Sequence, residues 1–199
     1  FGASPGLIGL IAASYPAMQM IGAPILGRLS DKYGRRPILL VSLLGTALGY
    51  VVLGFATTIP LLFLSRMIDG LTGGNISVAQ AYIADITDEK NRARGMGLIG
   101  AAFGLGFTLG PALGGILSKD GMFLPAMVAM TLSLISFFGV LFWLPESLTD
   151  EVRKTKKSIT KKISLFNFDQ FVTHLTRPVV GPLLILRFGQ GFAFNTFQT

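Results

Sequence analysis

The chain has 199 residues, 51% of them hydrophobic and only 14% charged, with a mean hydropathy of +0.62. Soluble domains carry about 25% charged residues, so this composition excludes an ordinary soluble domain and points to a polytopic membrane protein. The absence of cysteine excludes disulfides and thiolate metal sites, and the single histidine, His174, excludes a histidine metal cluster; no cofactor and no metal are expected. The net charge of +7 would suit nucleic acid, but the basic residues lie between apolar runs. A sided membrane protein explains them better than a nucleic-acid partner.

The expected fold is all-α, a bundle of membrane helices. Continuous apolarity without alternation argues against barrel strands. Six spans of about 20 residues, the length a bilayer core needs, are predicted at residues 7–26, 37–56, 61–83, 94–117, 122–144 and 179–197. The glycines, 25 in all, cluster in these spans, as expected where helices pack closely in lipid. Basic residues separate by side. Arg28, Lys32, Arg35, Arg36, Lys90, Arg92 and Arg94 fall on one side with seven more between 153 and 177, whereas the other side receives Lys119 alone. By the positive-inside rule the basic loops are cytoplasmic, and a multi-pass protein of the plasma (inner) membrane is expected. The chain begins at Phe1 without a basic leader and ends inside an apolar stretch; it is expected to be a piece of a longer protein.

In the first span, Gln19 stands among uncharged residues and is a candidate substrate contact, a buried and satisfied glutamine being the plain alternative. A charged turn follows, Gly27-Arg28-Leu29-Ser30-Asp31-Lys32-Tyr33-Gly34-Arg35-Arg36. Gly27 allows close helix approach, Gly34 a tight turn, and Asp31 can face the positive end of a neighbouring helix. Arg35 and Arg36 can pair with carboxylates at the aqueous face. This spacing resembles the signature between the second and third helices of the major facilitator superfamily. The resemblance implies about twelve helices in two halves working by alternating access, with no enzymatic activity. On that plan residues 1–145 are an N-terminal half lacking its first helix, 146–178 a cytoplasmic linker, and 179–199 the first helix of a second half.

The third span carries Arg66 and Asp69, which are costly in a membrane and need partners or water. At 100° per residue, Asp69, Gly70, Gly73, Ser77 and Gln80 all fall within about 60° of Arg66, a polar stripe expected to line a water-filled cavity. Arg66-x-x-x-Gly70-x-x-Gly73 resembles the family's fourth-helix motif, whose arginine is associated with proton coupling. Asp85, on another face near the cytoplasmic end, can pair with Arg35. The family uses such a network as a gate, so Gly27, Asp31, Gly34, Arg35, Arg36 and Asp85 form the expected cytoplasmic gate.

The fourth span contains Gly97, Gly106, Gly110-Pro111 and Gly114-Gly115, with Ala102, Gly106, Gly110 and Gly114 spaced i,i+4 as a surface for close helix packing. Pro111 is expected to bend it. The full spacing matches the fifth-helix motif of the family's antiporters. Tyr15-Pro16-Ala17-Met18-Gln19 and Ala84-Asp85-Ile86-Thr87 resemble the tetracycline-exporter branch, although Gly49 replaces an acidic residue there. After Pro145 a basic linker follows, in which residues 159–175 can form an interfacial helix. In the sixth span Arg187, Gln190 and Asn195 share a face and echo the third.

The expected function is secondary active transport, a proton-coupled efflux (antiport) of small amphipathic drugs. The expected partners are a small-molecule substrate, protons and the bilayer, with a monomer favoured. No Walker-type nucleotide loop and no nucleophile–base constellation are present. The alternatives are a metabolite or sugar permease of the same superfamily, or a non-transporting receptor-like relative.

Overall fold

The computed structural model describes residues 4–148, together with 182 and 186. Most of the linker (149–178) and of the predicted sixth span, with Arg187, Gln190 and Asn195, therefore lies outside the described residues. Residues 4–148 belong to the first of two units, Phe1–Lys157.

Among the described residues, six α-helices follow one another: α1 Pro5–Tyr33, α2 Arg35–Gly54, α3 Ile59–Thr72, α4 Asn75–Ile86, α5 Glu89–Leu117 and α6 Phe123–Trp143. A 3-10 turn, Ser118–Asp120, joins the last two. Local chemistry sets the starts. Ser4 caps α1, accepting a hydrogen bond from the Leu7 amide, with Pro5 as its first residue. Asp88 caps α5 through the Asn91 amide, with Glu89 in the first turn. Four helices, α1, α2, α5 and α6, are long and apolar enough to cross a membrane.

Two departures from the predicted spans matter. The charged segment is mostly not a loop: α1 continues helically to Tyr33 and α2 starts at Arg35, so only Gly34 is left between them. Its φ of 113° lies where side chains are rarely tolerated. The predicted third span is not one helix but two. It breaks at Gly73-Gly74, leaving helices of 14 and 12 residues. At the break the Ser77 amide bonds to the Gly74 carbonyl, one residue short of helical register.

α2 packs chiefly on α6 and α3, and α1 on α3. Glycine makes these crossings intimate. A Cβ at Gly22 would strike the Leu71 backbone, and one at Gly74 would lie 2.5–2.8 Å from the backbone of Gly22 and Ala23. At one end Leu26, Ile38, Leu39 and Val78 form a buried cluster, with Val140 and Leu144 against it. α5 packs least, and Gly95 is its one buried residue.

Candidate functional site

At the α1–α2 turn, Arg35 is a hub. It is 3% exposed, and each nitrogen of its guanidinium donates: Nε to Asp85 at 3.0 Å, Nη1 to Ser30 Oγ at 2.6 Å and Nη2 to Asp31 at 2.7 Å. The planar fork of arginine suits such divergent acceptors, and a buried cation without them would cost several kcal/mol. The amides of Arg35 and Arg36 donate to the two carboxylate oxygens of Glu146, at 2.8 and 3.1 Å. These are the first amides of α2, which have no partner within the helix, and Gly34 offers no side chain to cap them. The segment leaving α6 is tied down further. Arg36 donates to the Leu141 carbonyl and Tyr82 to the Pro145 carbonyl, and Ser147 Oγ lies 3.5 Å from Asp85.

The Arg35–Asp85 pairing expected from the sequence is thus present, and Asp31 joins it. The carboxylate found at the amino end of α2 is Glu146, which the sequence reading did not single out. No local signal singles it out, since Asp85, Asp88 and Glu89 lie on the same predicted side. Gly27 sits near Ser77 Oγ, 3.8 Å from where its Cβ would be.

The membrane-depth polar residues do not form one stripe. The break at Gly73-Gly74 interrupts the 100° step between α3 and α4, and the residues sort to different neighbours. Asp69, 4% exposed, lies 3.7 Å from Arg66 Nη1 and packs against α2. A Cβ at Gly49 would sit 3.1 Å from its Cβ, and nearby the Thr46 and Thr72 hydroxyls share a hydrogen bond of 3.2 Å. The Arg66 guanidinium is 5.9 Å from the Tyr50 ring, near enough for a cation–π contribution. Its Nε and Nη2 are buried without a hydrogen-bond partner among the described residues.

Ser77 and Gln80 turn instead to α1. With Gln19 they line a cavity of about 390 Å³ whose other walls include Pro16, Met20 and Ile76. Gln19 Nε2 donates to the Gly73 carbonyl at 2.9 Å and to Tyr15 Oη at 3.3 Å. Gly70 and Gly73 are contact points for Tyr15, not cavity lining: a Cβ at Gly73 would lie 2.9 Å from the Tyr15 hydroxyl.

The α5 glycines do not pack as expected. An added Cβ at Gly97, Gly106, Gly110, Gly114 or Gly115 would meet nothing within 4 Å among the described residues. Pro111 lies within a helix that remains continuous from Glu89 to Leu117. The close helix partner predicted for this ladder is therefore not among the described helices. A hollow beside Phe103, Gly106 and Phe107 marks the open face.

The profile of the Major Facilitator Superfamily matches residues 1–199. The chain belongs to this superfamily. Among its relatives is the class H tetracycline resistance protein of Pasteurella multocida, 46% identical over 136 residues, which are 68% of this chain and 34% of that protein. The class B protein of Escherichia coli is 41% identical over 139 residues, 70% of this chain and 35% of that protein. The crystal structure of the human organic anion transporter MFSD10 (TETRAN) is similar, with a TM-score of 0.67 and 36% identity over 73% of this chain and 33% of that one. The chain thus spans about a third of the length of these superfamily members. Membership and the long apolar helices make it an integral membrane protein.

Proposed function

We propose that the chain serves a proton-driven exporter of small amphipathic compounds that works by alternating access. Asp69 is the proton-carrying carboxylate, and Arg66 is the cation that favours its charged form. Gln19, Ser77 and Gln80 meet the substrate. The Arg35 cluster, with Asp31 and Asp85, latches the cytoplasmic side and opens in the other state. The Gly97–Gly115 spacing on α5 sets the direction of transport as antiport. On the superfamily's two-half plan, Arg187, Gln190 and Asn195 would contribute the corresponding surface of the second half.

One observation carries this reading: a carboxylate only 4% exposed at membrane depth, held by an arginine with two donors unused among the described residues. Intramembrane ionisable groups of this kind mark ion pathways. Tyr15 lies within electrostatic reach of Asp69 and bonds to Gln19 at the cavity, so a change at either site reaches the other through one side chain. The names of the tetracycline resistance relatives support drug efflux.

The test uses the full-length protein in everted membrane vesicles with an acid interior and a pH-sensitive dye. Adding cationic dyes or tetracyclines should release protons from the vesicles, and Asp69→Asn or Pro111→Ala should abolish the release. The human relative is named an organic anion transporter, which favours a second reading, a permease of the same superfamily. Substrate entry without proton release would decide for it.

A further inference from the structure

The cavity between α1 and α4 presents hydrogen-bond acceptors, and the fold holds them that way. The Gly73 carbonyl can only accept, so the Gln19 atom 2.9 Å from it is the amide nitrogen. The second amide hydrogen goes to Tyr15 Oη. Both hydrogens are spent, and Gln19 Oε1 is left with its lone pairs for the cavity that this side chain lines.

The helix break enforces the orientation. The Ser77 amide has left Gly73 for the Gly74 carbonyl, so turning the Gln19 amide over would set two carbonyl oxygens against each other. Ser77 contributes in the same sense. Its hydroxyl lies 2.8 Å from the Gly74 carbonyl and 3.2 Å from that of Ala23, so backbone takes its one hydrogen and its oxygen remains an acceptor. Gln80 is exposed and its amide can turn either way. Among the described residues no ionised side chain lines the cavity. The cation Arg66 is paired to Asp69 against α2.

We propose that this cavity is a recognition site for amphipathic solutes whose polar end is a hydrogen-bond donor: an ammonium, an amide N–H or a hydroxyl. It rejects carboxylates, whose lone pairs would meet those of Gln19 and Ser77 after losing their water. Pro16, Met20 and Ile76 take the apolar body. The proposal rests on the exporter reading in assigning substrate to this cavity, and it narrows the substrate class.

The experiment measures binding to the purified full-length protein, not transport. Three probes with one naphthyl body are used at neutral pH: 1-naphthylmethylamine, 1-naphthylacetamide and 1-naphthylacetate. The amine and amide should bind, with the acetate at least about thirtyfold weaker. Gln19→Leu and, separately, Ser77→Ala should each weaken the amide by about three- to tenfold. The second variant covers the case in which losing the Gln19 bond to Gly73 disturbs the helix break. These 199 residues contain no cysteine; with any cysteine elsewhere in the full-length protein replaced, Ile76→Cys gives a specific label, and bound amide should slow its reaction with a maleimide.

Acetate binding as tight as the amide would overturn the proposal. So would unchanged amide affinity in both variants, or labelling of the Ile76→Cys variant at a rate indifferent to bound amide. Predicted binding without substrate-driven proton release would sink the exporter reading and leave the site standing. Proton-coupled export of carboxylates as readily as amines would do the reverse.

Discussion

Gly34 and Glu146 are two halves of one device. The glycine turns the chain through a φ of 113°, and the carboxylate fills the space a side chain would need: a Cβ at Gly34 would lie 2.5 Å from Glu146 Oε2. Gly34→Ala should therefore lower stability by about 1–3 kcal/mol, read as a fall in melting temperature of the purified protein. Glu146→Ala removes the acceptors from the first two amides of α2 and should cost about 0.5–2 kcal/mol, measured the same way. Arg35→Lys should not preserve the turn, because one ammonium cannot reach Ser30, Asp31 and Asp85 in the geometry a planar fork serves. The glycine and the arginines were legible in sequence because they lie together. Glu146 was not, because its partners are 111 residues away and nothing local distinguishes it from other carboxylates after a span.

At the scale of the helix, two sets of glycines look alike in sequence and differ in structure. Gly70 and Gly74 meet the backbone of α1, whereas Gly106 and Gly110 meet nothing described. Gly74→Ala should unfold or sharply destabilise the protein, since the atoms in its way are main chain and cannot swing aside. Gly110→Ala should lower the melting temperature far less than Gly74→Ala, since no main chain of the described helices stands in its way. The same variant should still abolish proton release in vesicles, placing its effect in transport and not in the packing of these helices. Four spans were legible from apolar runs alone. The α3–α4 break was not, because a Gly-Gly pair inside an apolar window fits both a packing contact and an interruption. The difference is made by Gln19, which satisfies the Gly73 carbonyl from another helix. Without that bond a freed carbonyl at membrane depth would be costly.

Across the whole molecule, the contacts of Arg35 draw the α1–α2 turn, the end of α4 and the end of α6 to one face. Helices that alternate through a bilayer place those three points on the same side, in keeping with the basic loops. Single cysteines should report this in intact cells. Thr57→Cys, exposed between α2 and α3, should react with an impermeant maleimide from outside. Glu89→Cys, at the start of α5, should react only after the membrane is opened. Labelling in the opposite sense would invert the orientation. The separation into an Arg66–Asp69 pair on α2 and a neutral cavity on α1 could not be read from a helical wheel, which treats one helix at a time and holds its phase constant.

The Glu146 contact also sets an order of events during biosynthesis. At about 5–20 residues per second, the 111 residues between Arg35 and its acceptor take roughly 6–22 s to make. Through that interval the amides at the start of α2 lack Glu146, and for its first 50 residues Arg35 lacks Asp85 as well. A segment destined for burial is therefore built from groups that tolerate water well, and it stays unfastened until α6 has left the ribosome. The turn that closes this bundle is made before α3 to α6 and is among the last parts to be locked.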